Sequence, residues 1–351
     1  MNPKLNRFNG PRGQLIKTLF PAGVPRLWCP TLTHYTDGAR LDPARLGAHL
    51  RALQPWVKGF LIPGSTGEGW EMSDSEIREL LEIMIDEVRA VNGHLLVGIL
   101  KTNANDVSSS IAEILTWLKR RTGTDDTAEC LANSAICGFT ICPPTGGNLS
   151  QTTIHDALDG ILSSGVPASL YQLPQVTENE MSAETLIDLA ARHPNFYMFK
   201  DTSGGDLAVK GGFRDAFLVR GAEGNYVSHL AEAGGAYDGF LLSTANCFGQ
   251  QLVCMIDDAS QGRRPDAEKF SAALTDICGR LFAIAAQVGY GNAFTNANKA
   301  MDHFMAHGPG ALSVAAPLLH SGKRLPPDLI VAAGAELKQH GLMPAKGYLQ
   351  S

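Results

Sequence analysis

From Arg26 onward, short apolar runs alternate with amphipathic stretches. RLWCPTLT precedes DPARLGAHLRAL, VKGFLIP precedes SDSEIRELLEIMIDEV, and HLLVGILK precedes NDVSSSIAEILTWLKR. The alternation continues through AICGFTIC and TTIHDALDGIL, VPASLYQL and SAETLIDLAARH, NFYMFK and DLAVKGGF, DAFLVRG and NYVSHLAEAGG, and YDGFLLS and NCFGQQLVCMIDDA. The apolar runs are nearly continuous, the pattern of strands covered by helices on both faces. Eight consecutive strand-helix units predict an α/β fold of the (β/α)8 TIM barrel type rather than a doubly wound sheet.

Local signals support single units. Ser73 and Glu76 form a capping-box pattern ahead of Ile77, Leu80 and Leu81, and Asp42 followed by Pro43 reads as an N-cap with proline at the first helical position. After Gly262 the strand pattern stops. Helical stretches near Asp266 to Ala286, Asn292 to His307 and Pro326 to His340 predict a C-terminal helical appendage. The first 25 residues and Thr122 to Asn133 carry turn chemistry and read as surface excursions. The expected organisation is an N-terminal extension over 1–25, a barrel carrying the active site over 26–262 and a helical region over 263–351.

Composition narrows the function. The 351 residues are 44% hydrophobic and 18% charged, enough to bury a large core. Lys plus Arg number 29 against 35 Asp plus Glu, a net charge of −6 with no basic run, which argues against nucleic acid or an anionic membrane surface as partner. No window approaches the roughly 18 apolar residues of a membrane span, and Met1 to Phe20 lacks a signal-peptide core, so a cytoplasmic location is expected. The seven cysteines include no CxxC pair and read as reduced, mostly buried thiols. His303 and His307 have a metal-ligand spacing on a predicted helix, but no HExxH pattern accompanies them. They read as a solvent-facing pair, and neither a metal nor a cofactor is expected.

In barrels of this kind, functional groups project from the C-terminal ends of the strands. Lys200 closes the sixth apolar run and Lys101 closes the third. An amine must be neutral to attack a carbonyl, and an ordinary lysine is less than about 0.1% neutral at pH 7. Bringing its pKa near 7 takes about 4–5 kcal/mol, within what burial in an apolar site supplies. Phe196, Met198 and Phe199 offer such neighbours, which makes Lys200 a candidate imine-forming residue. Tyr171 lies near the end of the neighbouring strand, where its phenol could shuttle a proton. The loop after strand two, Pro63-Gly64-Ser65-Thr66-Gly67-Glu68-Gly69, combines hydroxyls with glycines whose backbone N–H groups could converge on a small carboxylate. It matches neither the P-loop nor the dinucleotide fingerprint.

Gly64-Ser65-Thr66-Gly67-Glu68, Tyr171-Gln172-Leu173-Pro174 and Lys200-Asp201 together resemble the dihydrodipicolinate synthase / N-acetylneuraminate lyase family. The resemblance spans residues 26 to about 310. It implies a class I aldolase mechanism without a cofactor, in which Lys200 forms an imine with C2 of pyruvate or a related 2-oxo acid. It further implies that Thr66 and its loop (Gly64, Gly67, Glu68) bind the carboxylate, that Tyr171 moves protons, and that Ser65 replaces a family threonine in the proton relay. Leu242 and Gly221 would line the substrate pocket. Because family members are commonly tetramers of barrels, a homo-oligomer, dimer or tetramer, is expected.

The chain also departs from the family pattern. Val176 stands where dihydrodipicolinate synthase proper has an arginine for its second substrate's carboxylate, Thr145 where the family has a tyrosine reached from a neighbouring subunit, and Gln172 where asparagine is usual. These departures favour a lyase acting on a 2-keto-3-deoxy sugar acid or similar compound. The alternatives are dihydrodipicolinate synthase itself (4-hydroxy-tetrahydrodipicolinate synthase) and a non-catalytic 2-oxo-acid binding protein.

Overall fold

The computed structural model describes residues 7–350. Its strands are β1 (Leu27–Pro30), β2 (Gly59–Ile62), β3 (His94–Ile99), β4 (Ile136–Ile141), β5 (Ala168–Gln172), β6 (Phe196–Asp201), β7 (Phe217–Arg220) and β8 (Gly239–Leu241), which close a parallel barrel in chain order. Every strand residue except His94 is buried, which is why the apolar runs show no period-two alternation.

The elements pack as two compact units. The first holds β3 to β8 and the helix Gly10–Leu19. Within it, register sets Tyr171 of β5 beside Lys200 of β6, and Lys200 beside Val219 of β7. The second holds β1, β2 and the helices from Ala245 onward. There, Asp42 caps Pro43–Leu53 by accepting from the Arg45 amide, and Ser73 with Glu76 forms a complete capping box on Asp74–Ala90. That helix buries Ile77, Leu80, Leu81, Met84, Ile85 and Val88 on one face, each contributing about 1.5–3 kcal/mol.

Two expected surface excursions contain helices. Gly10–Leu19 buries Ile16, and its Arg12 Nε donates to the Phe196 carbonyl at 2.8 Å, so this segment is fastened to β6. Residues 1–6 lie outside the described region. Thr127–Asn133 is a short helix capped by Asp126, whose side chain accepts from the Glu129 amide. Conversely, the helices expected after β6 and β7 are single turns, Leu207–Lys210 and Tyr226–His229. Gly211 and Gly212 (φ 99°) stop the first, and extended backbone at Leu230 stops the second. The C-terminal helices are Arg264–Ala285, Ala293–His307 and Pro327–Gln339. His303 is fully buried and its Nε2 donates to the Ala311 carbonyl at 2.9 Å, so the expected solvent-facing histidine pair is corrected: the helix Ala293–His307 is packed on most of its circumference. All seven cysteines are free thiols. Among the described residues, no helix is long and apolar enough to cross a membrane.

Candidate active site

In the first unit, Lys200 is 3% exposed and its Nζ lies 3.7 Å from the centroid of the Tyr171 ring. Tyr171 is 2% exposed. Both side chains share one face of the β5–β6 pair because they sit side by side in register. Burial pushes the neighbouring Cys142 thiol up to about 12, opposed by the Lys200 charge, so it is a neutral thiol at the end of β4. Gly221 follows β7, and its N–H donates to the Asp201 carbonyl at 2.7 Å. A Cβ there would lie 2.3 Å from Thr202 Cγ2 and 3.0 Å from Lys200 Cε. We therefore expect Gly221→Ala to reduce turnover by about 10²-fold through displacement of the amine, with about 1–3 kcal/mol lost from stability. Steady-state kinetics beside a thermal melt checks this; near-wild-type turnover contradicts it.

Behind Lys200, on the opposite face of β6, lies a buried polar network that the sequence reading missed. Tyr237 Oη is 2.9 Å from Asp201 Oδ2 and 2.7 Å from Asp206 Oδ1, while Arg220 Nε donates to Asp206 Oδ1 at 3.1 Å. Burial raises the Asp201 carboxyl above the ordinary range. The Lys200-Asp201 dipeptide was visible, but Tyr237 and Asp206 join it only through the fold.

In the second unit, the loop after β2 turns inward on itself. The Gly67 and Gly69 amides donate to the Gly64 carbonyl at 3.0 and 3.1 Å, and the Glu68 amide donates to Ser65 at 3.1 Å. These N–H groups are thus bonded within the loop instead of converging outward. The glycines provide close approach: a Cβ on Gly64 would lie 2.7 Å from Pro30 Cβ, and one on Gly67 would lie 2.5 Å from the Thr31 carbonyl. Trp70 Nε1 donates to Ser65 Oγ at 2.9 Å, and Thr66, 5% exposed, has its carbonyl bonded by Thr295 Oγ1 at 3.0 Å.

Glu68 takes the left-handed conformation (φ 63°) and its carboxylate is engaged by Lys299 Nζ and, at 2.7 Å, by the His320 amide. Lys299 is fully buried, and burial lowers its pKa despite Glu68. No spacing signal linked the two residues; a lysine among the apolar positions Ala297, Ala300 and Met301 was the one available hint. Leu242 is fully buried after β8, its amide donating to the Trp28 carbonyl at 3.2 Å.

The departures from the family pattern are also located. Thr145 is exposed after β4, its amide bonded to the Thr102 carbonyl at 3.2 Å, and Val176 is exposed on the single turn Pro174–Thr177. Gln172 is buried: its amide donates to Glu180 at 3.0 Å and accepts from the Met181 amide at 2.7 Å, fixing the segment after that turn.

Residues 29–296 match the profile of the Dihydrodipicolinate synthetase family. The chain belongs to this family. A 4-hydroxy-tetrahydrodipicolinate synthase from Wolbachia pipientis subsp. Culex pipiens is 25% identical over 253 residues, 70% of this chain and 78% of the relative. Among solved structures, the E. coli K12 prophage protein YagE, a dihydrodipicolinic acid synthase family member in complex with pyruvate, is 19% identical with a TM-score of 0.69, covering 91% of this chain and 99% of that one. KD(P)GA from T. tenax is 18% identical with a TM-score of 0.67, covering 90% and 99%. At these identities the structural likeness concerns the fold. Membership in the dihydrodipicolinate synthetase family makes the chain an enzyme of the lyase and aldolase class.

One further cluster has metal-ligating chemistry. His34, His49 and Asp302 are buried, with potential ligand atoms within 4.8 Å of one another. Their polar atoms already serve each other: His34 Nε2 and His49 Nδ1 share a hydrogen bond at 2.9 Å, and His49 Nε2 donates to the Asn246 carbonyl at 3.0 Å. Arg45 lies 3.0 Å from Asp302 and already supplies its positive charge, while Tyr348 donates to the same carboxylate at 3.1 Å. The donor set therefore does not fit a resident cation.

Burial, reinforced by Arg45, holds the His34 pKa well below its ordinary value, and burial takes His307 down to about 4. Below pH ~6.5 the unfolded chain binds protons at these rings that the folded chain does not, so stability falls as pH falls, by up to about 1.4 kcal/mol per pH unit per ring. His155 and His340 shift upward and act in the opposite sense. We expect Tm to drop between pH 7 and 5 and His34→Gln to flatten that slope; an unchanged slope in the variant contradicts the assignment.

Proposed function

We propose that this enzyme is an imine-forming lyase acting on pyruvate or a related 2-oxo acid, with Lys200 as nucleophile. The observation that supports this best is the buried amine of Lys200 set 3.7 Å over the Tyr171 ring at the C-terminal end of β6. The neutral amine adds to the C2 carbonyl, one proton from its nitrogen and one relayed by Tyr171 turn the C2 oxygen into water, and as that water leaves a protonated imine forms that draws electrons from C3. Removal of a C3 proton, or cleavage of the bond from C3 to C4, then gives an enamine. Tyr171 is the phenol that transfers protons in these steps. The carboxylate roles of Thr66, Ser65 and their loop come from the family resemblance.

The exposed Val176 favours a sugar-acid type substrate over the second substrate of dihydrodipicolinate synthase, since no arginine stands there to meet a carboxylate. The curated relatives' own names keep the synthase activity as the second reading. Enamine formation is read by exchange of the pyruvate methyl protons in D2O, followed by NMR. The wild type should catalyse exchange and Tyr171→Phe should slow it by about 10²-fold. A wild type inert towards pyruvate and 2-oxobutyrate contradicts the reading. Pyruvate release from a panel of 2-keto-3-deoxy sugar acids then identifies the substrate.

A further inference from the structure

One level below the Lys200 amine, the barrel interior is lined by short side chains. Register places Gly98 of β3 beside Thr140 of β4, Thr140 beside Ser169 of β5, and Ser169 beside Met198 of β6. Side chains two apart on a strand share a face, so Ser169 lies under Tyr171 and Met198 under Lys200. That face is the interior one. On the other face of β6, Phe199 packs edge-on against Phe213 and Asp201 bonds Tyr237. Barrels of this type fill such a level with bulky branched residues; here three neighbouring strands supply glycine, threonine and serine.

Thr140 and Ser169 are both 0% exposed, and neither Thr140 Oγ1 nor Ser169 Oγ has a hydrogen-bond partner among the described residues. Each unmet buried hydroxyl costs about 1–3 kcal/mol, a penalty that valine or alanine at these positions would avoid. Two such hydroxyls, on residues paired in register on neighbouring strands, supply polar partners of the kind a buried water needs. Gly98, Thr140, Ser169 and Met198 carry no charge, so a small neutral occupant suits this level.

We propose that Thr140 and Ser169 hold the water molecule exchanged with the Lys200 imine. This rests on the imine reading above. In hydrolysis, the water oxygen bonds to C2 while the C2–N π pair moves onto nitrogen, and one water proton passes to nitrogen by way of Tyr171. The carbinolamine then breaks its C2–N bond, the pair leaving with nitrogen, as the C2 hydroxyl gives its proton to nitrogen and becomes the keto oxygen. The sum is protonated imine plus water giving 2-oxo acid plus the Lys200 ammonium. Imine formation runs the same steps backwards and returns the water. Thr140 and Ser169 touch the water and not the carbon, so they are positioning residues.

Oxygen-18 exchange between labelled water and C2 of pyruvate, above the spontaneous background, reads the rate of this step, whereas the final extent of irreversible borohydride trapping reads whether the imine forms at all. In a Thr140→Val/Ser169→Ala double variant, exchange should slow at least about tenfold while the final extent of trapping is unchanged. Thr140→Ser, which keeps the hydroxyl, should remain within about twofold of wild type. Ser169→Ala alone carries the same test should the double variant not fold. Exchange at the wild-type rate in these variants overturns the water site and leaves the imine reading standing. A wild type that traps no adduct overturns both.

Discussion

Lys200→Met should abolish turnover of every 2-oxo-acid substrate, by at least about 10³-fold, while the barrel remains folded. Methionine has nearly the length of lysine, and the buried site already holds the lysine Nζ over the Tyr171 ring and its Cε beside Gly221. The exchange removes a buried amine and leaves an apolar chain, so the desolvation cost of that amine disappears and the melting temperature should hold or rise. Steady-state turnover measured beside a thermal melt separates the two effects. Residual activity above a few per cent, in a variant that melts normally, would mean that the chemistry resides elsewhere.

Breaking the Glu68–Lys299 pair should have the largest effect on stability. Lys299→Met leaves the Glu68 carboxylate buried with the His320 amide but no cation, and Glu68→Gln leaves the Lys299 amine bonded to the Leu318 carbonyl at 2.8 Å with no counter-charge. Either change alone should cost about 3–5 kcal/mol. The double variant should recover part of that loss, because neither charge is then stranded. Denaturant melts of the two single variants and the double variant check this. Additive losses in the double variant would show that the two residues stabilise the fold independently. The pair matters to the site because it holds Glu68 in its left-handed conformation inside the Ser65-Thr66 loop.

The barrel was legible because its information is local and periodic: each strand is an unbroken apolar run and each long helix an amphipathic one, with caps at Asp42 and Ser73 in the expected places. Lys200 and Tyr171 stood out for the same reason, as polar residues ending apolar runs. What escaped was long-range or conformational. Lys299 meets Glu68 across 231 positions, and Tyr237 meets Asp201 across 36. The glycines of the Gly64–Gly69 loop suggested outward amides, but positive φ falls on Glu68 and three amides close on the loop itself. The helix Gly10–Leu19 was read as turn chemistry because glycine and proline open it, although proline suits a first helical turn and Ile16 finds burial only once the fold exists.

The most direct test is a peptide-resolved mass measurement on wild-type protein incubated with pyruvate and borohydride. One reduced pyruvate adduct is expected, carried by the peptide that contains Lys200. No adduct, or an adduct on the peptide of Lys101 or Lys299 with Lys200 unmodified, would contradict it.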